Sequence, residues 1–167
     1  MMDRYPRILL KPGRDASLSR GHPWVFSGAV AGVDGQLEPG DIVVAVSHER
    51  QPLALGFYNP TSDIAFRLLT TDTAAAVDYA FWQKRIRNAM SLREKLLPEG
   101  TTAYRLINAE GDWMPGLIVD RYANYLALSV ETAGMEKHRE AVVKILSDEM
   151  QSLGIYERSE GRARQLE

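Results

Sequence analysis

The hydrophobic pattern of this 167-residue chain changes period once, and that change limits what it can fold into. Up to residue 70 the apolar residues come in short runs, at 8–11, 24–30, 42–47, 53–58 and 64–70. Pro12-Gly13, the stretch from Gly32 to Gly35, and Pro39-Gly40 punctuate them. Pro removes a ladder donor and Gly takes the turn, so this spacing predicts a small antiparallel β-barrel, with one helical turn at 15–20. Residues 70–78, TTDTAAAVD, break the pattern and read as a connector. Beyond them Tyr79, Trp82, Ile86, Ala89, Met90 and Leu97 recur at three- and four-residue steps. That period predicts an amphipathic helix stopped by Pro98 and Gly100, with Lys84, Arg87 and Lys95 on its other side.

Three strands are predicted next, at 104–109, 117–122 and 125–131, the first two joined through the turn from Glu110 to Gly116. A second helix over about 135–153 takes Val142, Leu146, Met150 and Leu153 as its stripe, with Gly154 as its cap and a strand at 155–158. The polar residues 161–167 follow without a closing element. The expected fold class is therefore α+β: a small β-barrel over 1–72, then an α+β subdomain over 73–167 with a β-hairpin and two amphipathic helices. A hydrophobic content of 45% supplies cores for both.

Several chemistries are excluded. There is no cysteine, hence no disulfide, no thiolate metal site and no cysteine nucleophile. No G-x-G-x-x-G turn, lysine-bearing P-loop or G-x-S-x-G elbow is present. His22, His48 and His138 lie far apart without ligand spacing, and the repeated acids of a calcium loop are missing, so no metal site and no catalytic residues are expected. No apolar run approaches the roughly 18–20 residues of a membrane span, and residues 1–7 lack the apolar core of a signal peptide. A cytoplasmic location without membrane contact is the expectation.

The formal charge of −2 argues against a protein that coats polyanions over its whole surface. Residues 1–24 reverse that sign: Arg4, Arg7, Lys11, Arg14 and Arg20 stand against Asp3 and Asp15. Lys11, Arg14 and Arg20 flank a turn on the predicted barrel beside Trp24 and Phe26, an arrangement suited to gripping RNA by phosphate contacts. Trp24 and Phe26 are assigned to the barrel core. Glu110, Asp112 and Asp120 are the one acidic cluster of note. Either these acids hydrogen-bond the turn backbone, or the polar hairpin faces a ligand or a neighbouring domain.

Four ordered blocks, LLKPGRDASLSRGHPWVFSGAV, GFYNPTSDIAFRLLT, YRLINAEGDWMPGLIVDRYANYLALSV and IYERSE, resemble the N-terminal half of the bacterial RlmI-type methyltransferases over essentially the whole chain. Those enzymes methylate C5 of a cytosine in 23S ribosomal RNA with S-adenosylmethionine. The resemblance implies a PUA domain over 1–72 that holds RNA through Lys11, Arg14, Arg20, His22, Tyr58, Asn59 and Arg67. It implies a central subdomain over 73–167 in which Lys84, Arg87, Arg105, Glu110, Asp112 and Arg121 are candidates for RNA or interdomain contact. Trp113 and Ala123 stand where glycine is common in the family. The family's two cysteines and its glycine-rich adenosylmethionine site are missing. Catalysis is thus expected from a C-terminal methyltransferase domain absent from this chain, with S-adenosylmethionine bound by a full-length relative and residues 1–167 inactive alone. Ribosomal RNA and that domain are the expected partners. The alternative is a free-standing interaction module that binds RNA, protein or a second copy of itself.

Overall fold

The computed structural model describes residues 4–159, so the stretch 161–167 lies outside it. The chain divides into two compact units, 4–75 and 76–159.

In the first unit the strands are β1 (Arg7–Leu10), β2 (Trp24–Val25), β3 (Val30–Val33), β4 (Asp41–Val46), β5 (Pro52–Tyr58) and β6 (Phe66–Thr70), with a single helical turn α1 (Ala16–Ser19) after β1. They form one curled sheet, a half-barrel, in the order β2-β6-β5-β4-β1-β3. Its core is built from Ile8, Leu10, Leu18, Val25, Val43 and Phe66 among others. Gly56 permits the closest approach. A Cβ there would sit 2.3 Å from the Arg67 carbonyl oxygen and 2.5 Å from the ring of fully buried Phe66.

The sheet departs from an all-antiparallel barrel, because β1 runs parallel to β4. The chain between them carries α1, β2 and β3, and β3 takes the other edge of β1 antiparallel. Residues 24–30 are not one strand. A 3-10 turn, Ser27–Ala29, interrupts them, stitched by Ser27 N–H to Asp63 O at 2.8 Å and Ala29 N–H to Phe26 O at 2.9 Å. Gly32 lies inside β3 opposite Leu9 rather than in a turn.

The second unit consists of α2 (Tyr79–Leu96), β7 (Ala103–Asn108), β8 (Leu117–Tyr122), β9 (Tyr125–Val130), α3 (Ala133–Met150) and β10 (Gly154–Glu157). Its sheet order is β10-β9-β8-β7, antiparallel except for β9 and β10, which α3 joins as a parallel crossover. Both helices pack on one face of this sheet. Trp82, Ile86 and Ala89 of α2 and Met135, Val142, Ile145 and Leu146 of α3 are buried with Leu117, Val119, Leu126, Leu128 and Val130. The Asp78 carboxylate caps α2 by accepting from Phe81 N–H at 3.0 Å, and the Thr132 hydroxyl caps α3 by accepting from Met135 N–H at 3.2 Å.

Three helix-stripe expectations need correction. Tyr79 is 41% exposed, because it opens the first turn, and Leu97 lies past the end of α2. The second helix ends at Met150, where Gln151 takes the left-handed position at φ 47°. Gly154 is not its cap. Leu153 N–H bonds to Asn124 O at 2.8 Å and Gly154 pairs with Tyr125, so the chain must turn by residue 151 to enter the sheet, which leaves Leu153 70% exposed.

Candidate nucleic-acid interface

In the first unit, β2 and β6 are antiparallel neighbours with Trp24 directly opposite Arg67. That register lays the Arg67 guanidinium over the Trp24 indole, 5.7 Å from its centroid. His22 meets the same indole edge-on, at 5.9 Å and 78°. His22 Nδ1 lies 3.1 Å from Trp24 N and 3.2 Å from Trp24 O, which ties the imidazole to the start of β2. Arg14, Ser17, His22, Trp24 and Phe26 then line a cleft of about 410 Å³ whose floor includes Gly28. Lys11 borders it by donating from Nζ to Gly28 O at 2.8 Å.

This arrangement offers a planar cation stacked on an aromatic ring, an exposed guanidinium on Arg14, an exposed imidazole and an open phenyl group. Guanidiniums take phosphate oxygens in pairs and rings take bases face-on. Phe26, assigned to the core from sequence, is instead 54% exposed, because Val25 is the member of β2 that points inward. Strand alternation was the signal that separates the two. Trp24 is half-buried and contributes to the cleft rather than to the core.

The other predicted contacts of this unit lie apart. Arg20 is exposed at the end of α1 and is not among the cleft residues. Tyr58 is buried in the core cluster, where desolvation pushes its phenol above the usual range. Asn59 is 4% exposed, and its Oδ1 accepts from Thr61 N–H at 3.0 Å and Thr61 Oγ1 at 2.8 Å. Those bonds shape the turn between β5 and β6.

In the second unit most of the candidate polar residues are engaged within the fold. Arg87 grips Glu149 of α3 through Nε at 3.0 Å and Nη2 at 2.8 Å, and this contact holds its guanidinium above the usual range and the carboxyl of Glu149 below it. Arg105 binds Asp120 at 2.9 and 3.1 Å. Arg121 donates to Ala123 O at 2.8 Å and to the Tyr104 hydroxyl at 3.0 Å. Asp112 receives Arg93 through both oxygens, with Nη2 to Oδ2 at 2.7 Å, and also accepts from Asn108 N–H at 2.7 Å. Asp112 therefore holds the 3-10 turn Ala109–Asp112, on which Glu110 is half-buried. Lys84 is exposed on α2. Arg85, inside α2, stacks on Phe81 at 5.0 Å and on Trp113 at 5.5 Å, and its burial lowers its guanidinium below the usual range.

Trp113 and Ala123, the two departures from glycine, both adopt left-handed backbone, with φ of 60° and 52°. That conformation is the one in which glycine carries no steric penalty.

Residues 8–71 match the family described as PUA-like domain. Over 162 residues the chain is 43% identical to ribosomal RNA large subunit methyltransferase I of Pseudoalteromonas atlantica, covering 96% of this chain and 41% of that protein. The namesake from Salmonella arizonae is 40% identical over 164 residues, covering 98% and 41%. The chain thus spans about two-fifths of the length of these relatives. Among solved structures, a Streptococcus mutans protein assigned to the SAM-dependent methyltransferases superposes with a TM-score of 0.78 at 19% identity, covering 92% of this chain and 40% of that one. That likeness is one of fold.

Proposed function

For a chain homologous along nearly all of its length to the RlmI-type large-subunit rRNA methyltransferases, we propose that residues 1–167 are the RNA-recognition portion of such an enzyme. In this reading the PUA-like unit docks folded rRNA by phosphate contacts and stacking, and methyl transfer to C5 of a cytosine is carried by a domain outside these residues. The observation that carries it is the cleft of Arg14, His22, Trp24, Phe26 and the stacked Arg67.

The described residues do not fit S-adenosylmethionine. The strand–helix–strand crossover β9-α3-β10 is the natural place for such a cofactor, but the N-terminus of α3 is closed there. Thr132 is buried against Gly116 and accepts from Met135 N–H, so that helix-end donor is already taken by the chain's own cap. A thiolate attack on the pyrimidine ring also has no source in a chain without cysteine.

A salt titration of RNA binding tests the docking role. With about four cationic groups on single-stranded phosphates, log K falls with log salt at a slope near −3, roughly −0.7 per contact. Replacing Arg14 and Arg20 with alanine makes the slope shallower by about 0.7 for each phosphate no longer neutralised. Affinity that ignores salt, or a slope untouched by both substitutions, overturns the phosphate grip.

A further inference from the structure

The second sheet has a face that neither helix covers. Leu117 and Val119 of β8 and Leu126, Leu128 and Val130 of β9 point into the helices, so Ile118, Asp120 and Tyr122, and Tyr125, Ala127 and Ser129, point the other way. Strand register brings three tyrosines together on this open side. Tyr122 is directly opposite Tyr125, and Tyr156 of β10 stands beside Ala127, two residues further along β9. Their exposures are 56%, 56% and 70%. Gly154 flanks the row, and a Cβ there would make ordinary van der Waals contact with the Tyr125 ring, at 3.5 and 3.6 Å. Beside the rings a cleft of about 420 Å³ is lined by Arg105, Asp120, Tyr122, Ser129, Glu131 and Arg158.

We propose that this face is a second RNA contact, a stacking platform for an unpaired stretch of nucleotides; the assignment rests on the RNA-docking reading of the whole chain. The rings stand on adjacent strands, Tyr122 and Tyr125 as a directly opposed pair and Tyr156 one diagonal step from Tyr125, and every base has a π-face to set against them. The centre of the patch opposes a protein partner. Where a dry interface core needs aliphatic and aromatic side chains, this one holds the Arg105–Asp120 ion pair and the Ser129–Glu131 hydrogen bond. Asp120 is neutralised by Arg105, and Arg158 offsets Glu131 across the cleft. The face is close to electroneutral, so its grip is stacking and its salt dependence is small. The cleft of the first unit supplies the salt-dependent term.

That division sets the experiment. The 167-residue chain is titrated by fluorescence anisotropy with a single-stranded RNA and with the corresponding duplex, each at several salt concentrations. Replacing Tyr122, Tyr125 and Tyr156 together with alanine is expected to weaken single-strand binding by about tenfold or more, leave duplex binding and the salt slope unchanged, and be rescued by the triple phenylalanine variant. Single-strand affinity within about twofold of the parent, or a loss that phenylalanine does not restore, overturns the platform. Retained RNA affinity accompanied by lost self-association overturns it in favour of a protein interface. A shallower salt slope in the Arg14 and Arg20 variant with the tyrosine variant unaffected sinks the platform alone, whereas a parent chain that binds neither RNA sinks the docking role with it. Should the alanine set unfold, photo-cross-linking of bromouridine-substituted RNA to the unmodified chain decides. Adducts on the three tyrosines support the platform, and adducts confined to residues 4–75 overturn it.

Discussion

Arg93–Asp112 and Arg105–Asp120 join the same residue types in the same unit, yet their surroundings give them different weights. The side chains of the first pair are 15% and 6% exposed, those of the second 48% and 26%. Removing Arg93 leaves a buried carboxylate held by Asn108 N–H, without a countercharge. Arg93→Ala is therefore expected to cost about 3–5 kcal/mol, while Arg105→Ala costs about 1 kcal/mol or less, since solvent screens that pair. Urea unfolding of the two variants checks the ranking, and equal losses would show that burial is not what separates them. Ala123 makes the complementary case for backbone. It holds φ 52° at the first central position of the two-residue link between β8 and β9. Ala123→Gly removes that strain and is expected to stabilise the second unit by about 0.5–1 kcal/mol, measured as a rise in melting temperature.

Among the elements, α3 depends on a glycine outside it. Gly116, at φ 80° ahead of β8, lies so close to Thr132 that a Cβ would stand 2.3 Å from Thr132 Oγ1. That hydroxyl caps α3 and also donates to Pro115 O at 3.2 Å. Gly116→Ala combines left-handed strain with displacement of the cap, for an expected loss of about 2–3 kcal/mol. Thr132→Ala in the same chain recovers part of it if the clash is the cause, and a strictly additive double variant would contradict that coupling. Helix and strand identity in this region was legible in sequence, because Trp82, Ile86 and Ala89 repeat at helical period and the turn residues from Glu110 to Gly116 separate two strand candidates. Neither the Gly116–Thr132 approach nor the left-handed cap at Gln151 was, since each depends on where a partner element arrives in space.

For the molecule as a whole, burial of one histidine ties stability to pH. His138 of α3 is half-buried with its ring 5.0 Å from that of Trp82, and burial, helped by the neighbouring Lys137, holds its pKa below the ordinary value. The unfolded chain then binds the proton more readily than the folded one. This group's contribution is complete above about pH 6.5 and declines as pH falls through that value towards the lower folded pKa. Urea melts at neutral and mildly acidic pH are expected to show the second unit weakened by acid, with His138→Gln flattening the difference. An unchanged difference in that variant would assign the acid loss elsewhere.

The residue order by itself determined the strand-rich first part, the two amphipathic helices after it, the lack of any thiol chemistry, and the likeness to RlmI-type methyltransferases, because hydrophobic period and composition are properties of neighbours along the chain. Only the tertiary structure decided that β1 runs parallel to β4, that Phe26 faces outward beside Trp24, and that Arg87 and Arg93 are committed to Glu149 and Asp112 while Arg14 is exposed at a cleft. Those outcomes bring together residues as many as 62 positions apart. A charge reads the same in sequence whether it ends in solvent or against a carboxylate; its role is assigned when the fold brings the two together.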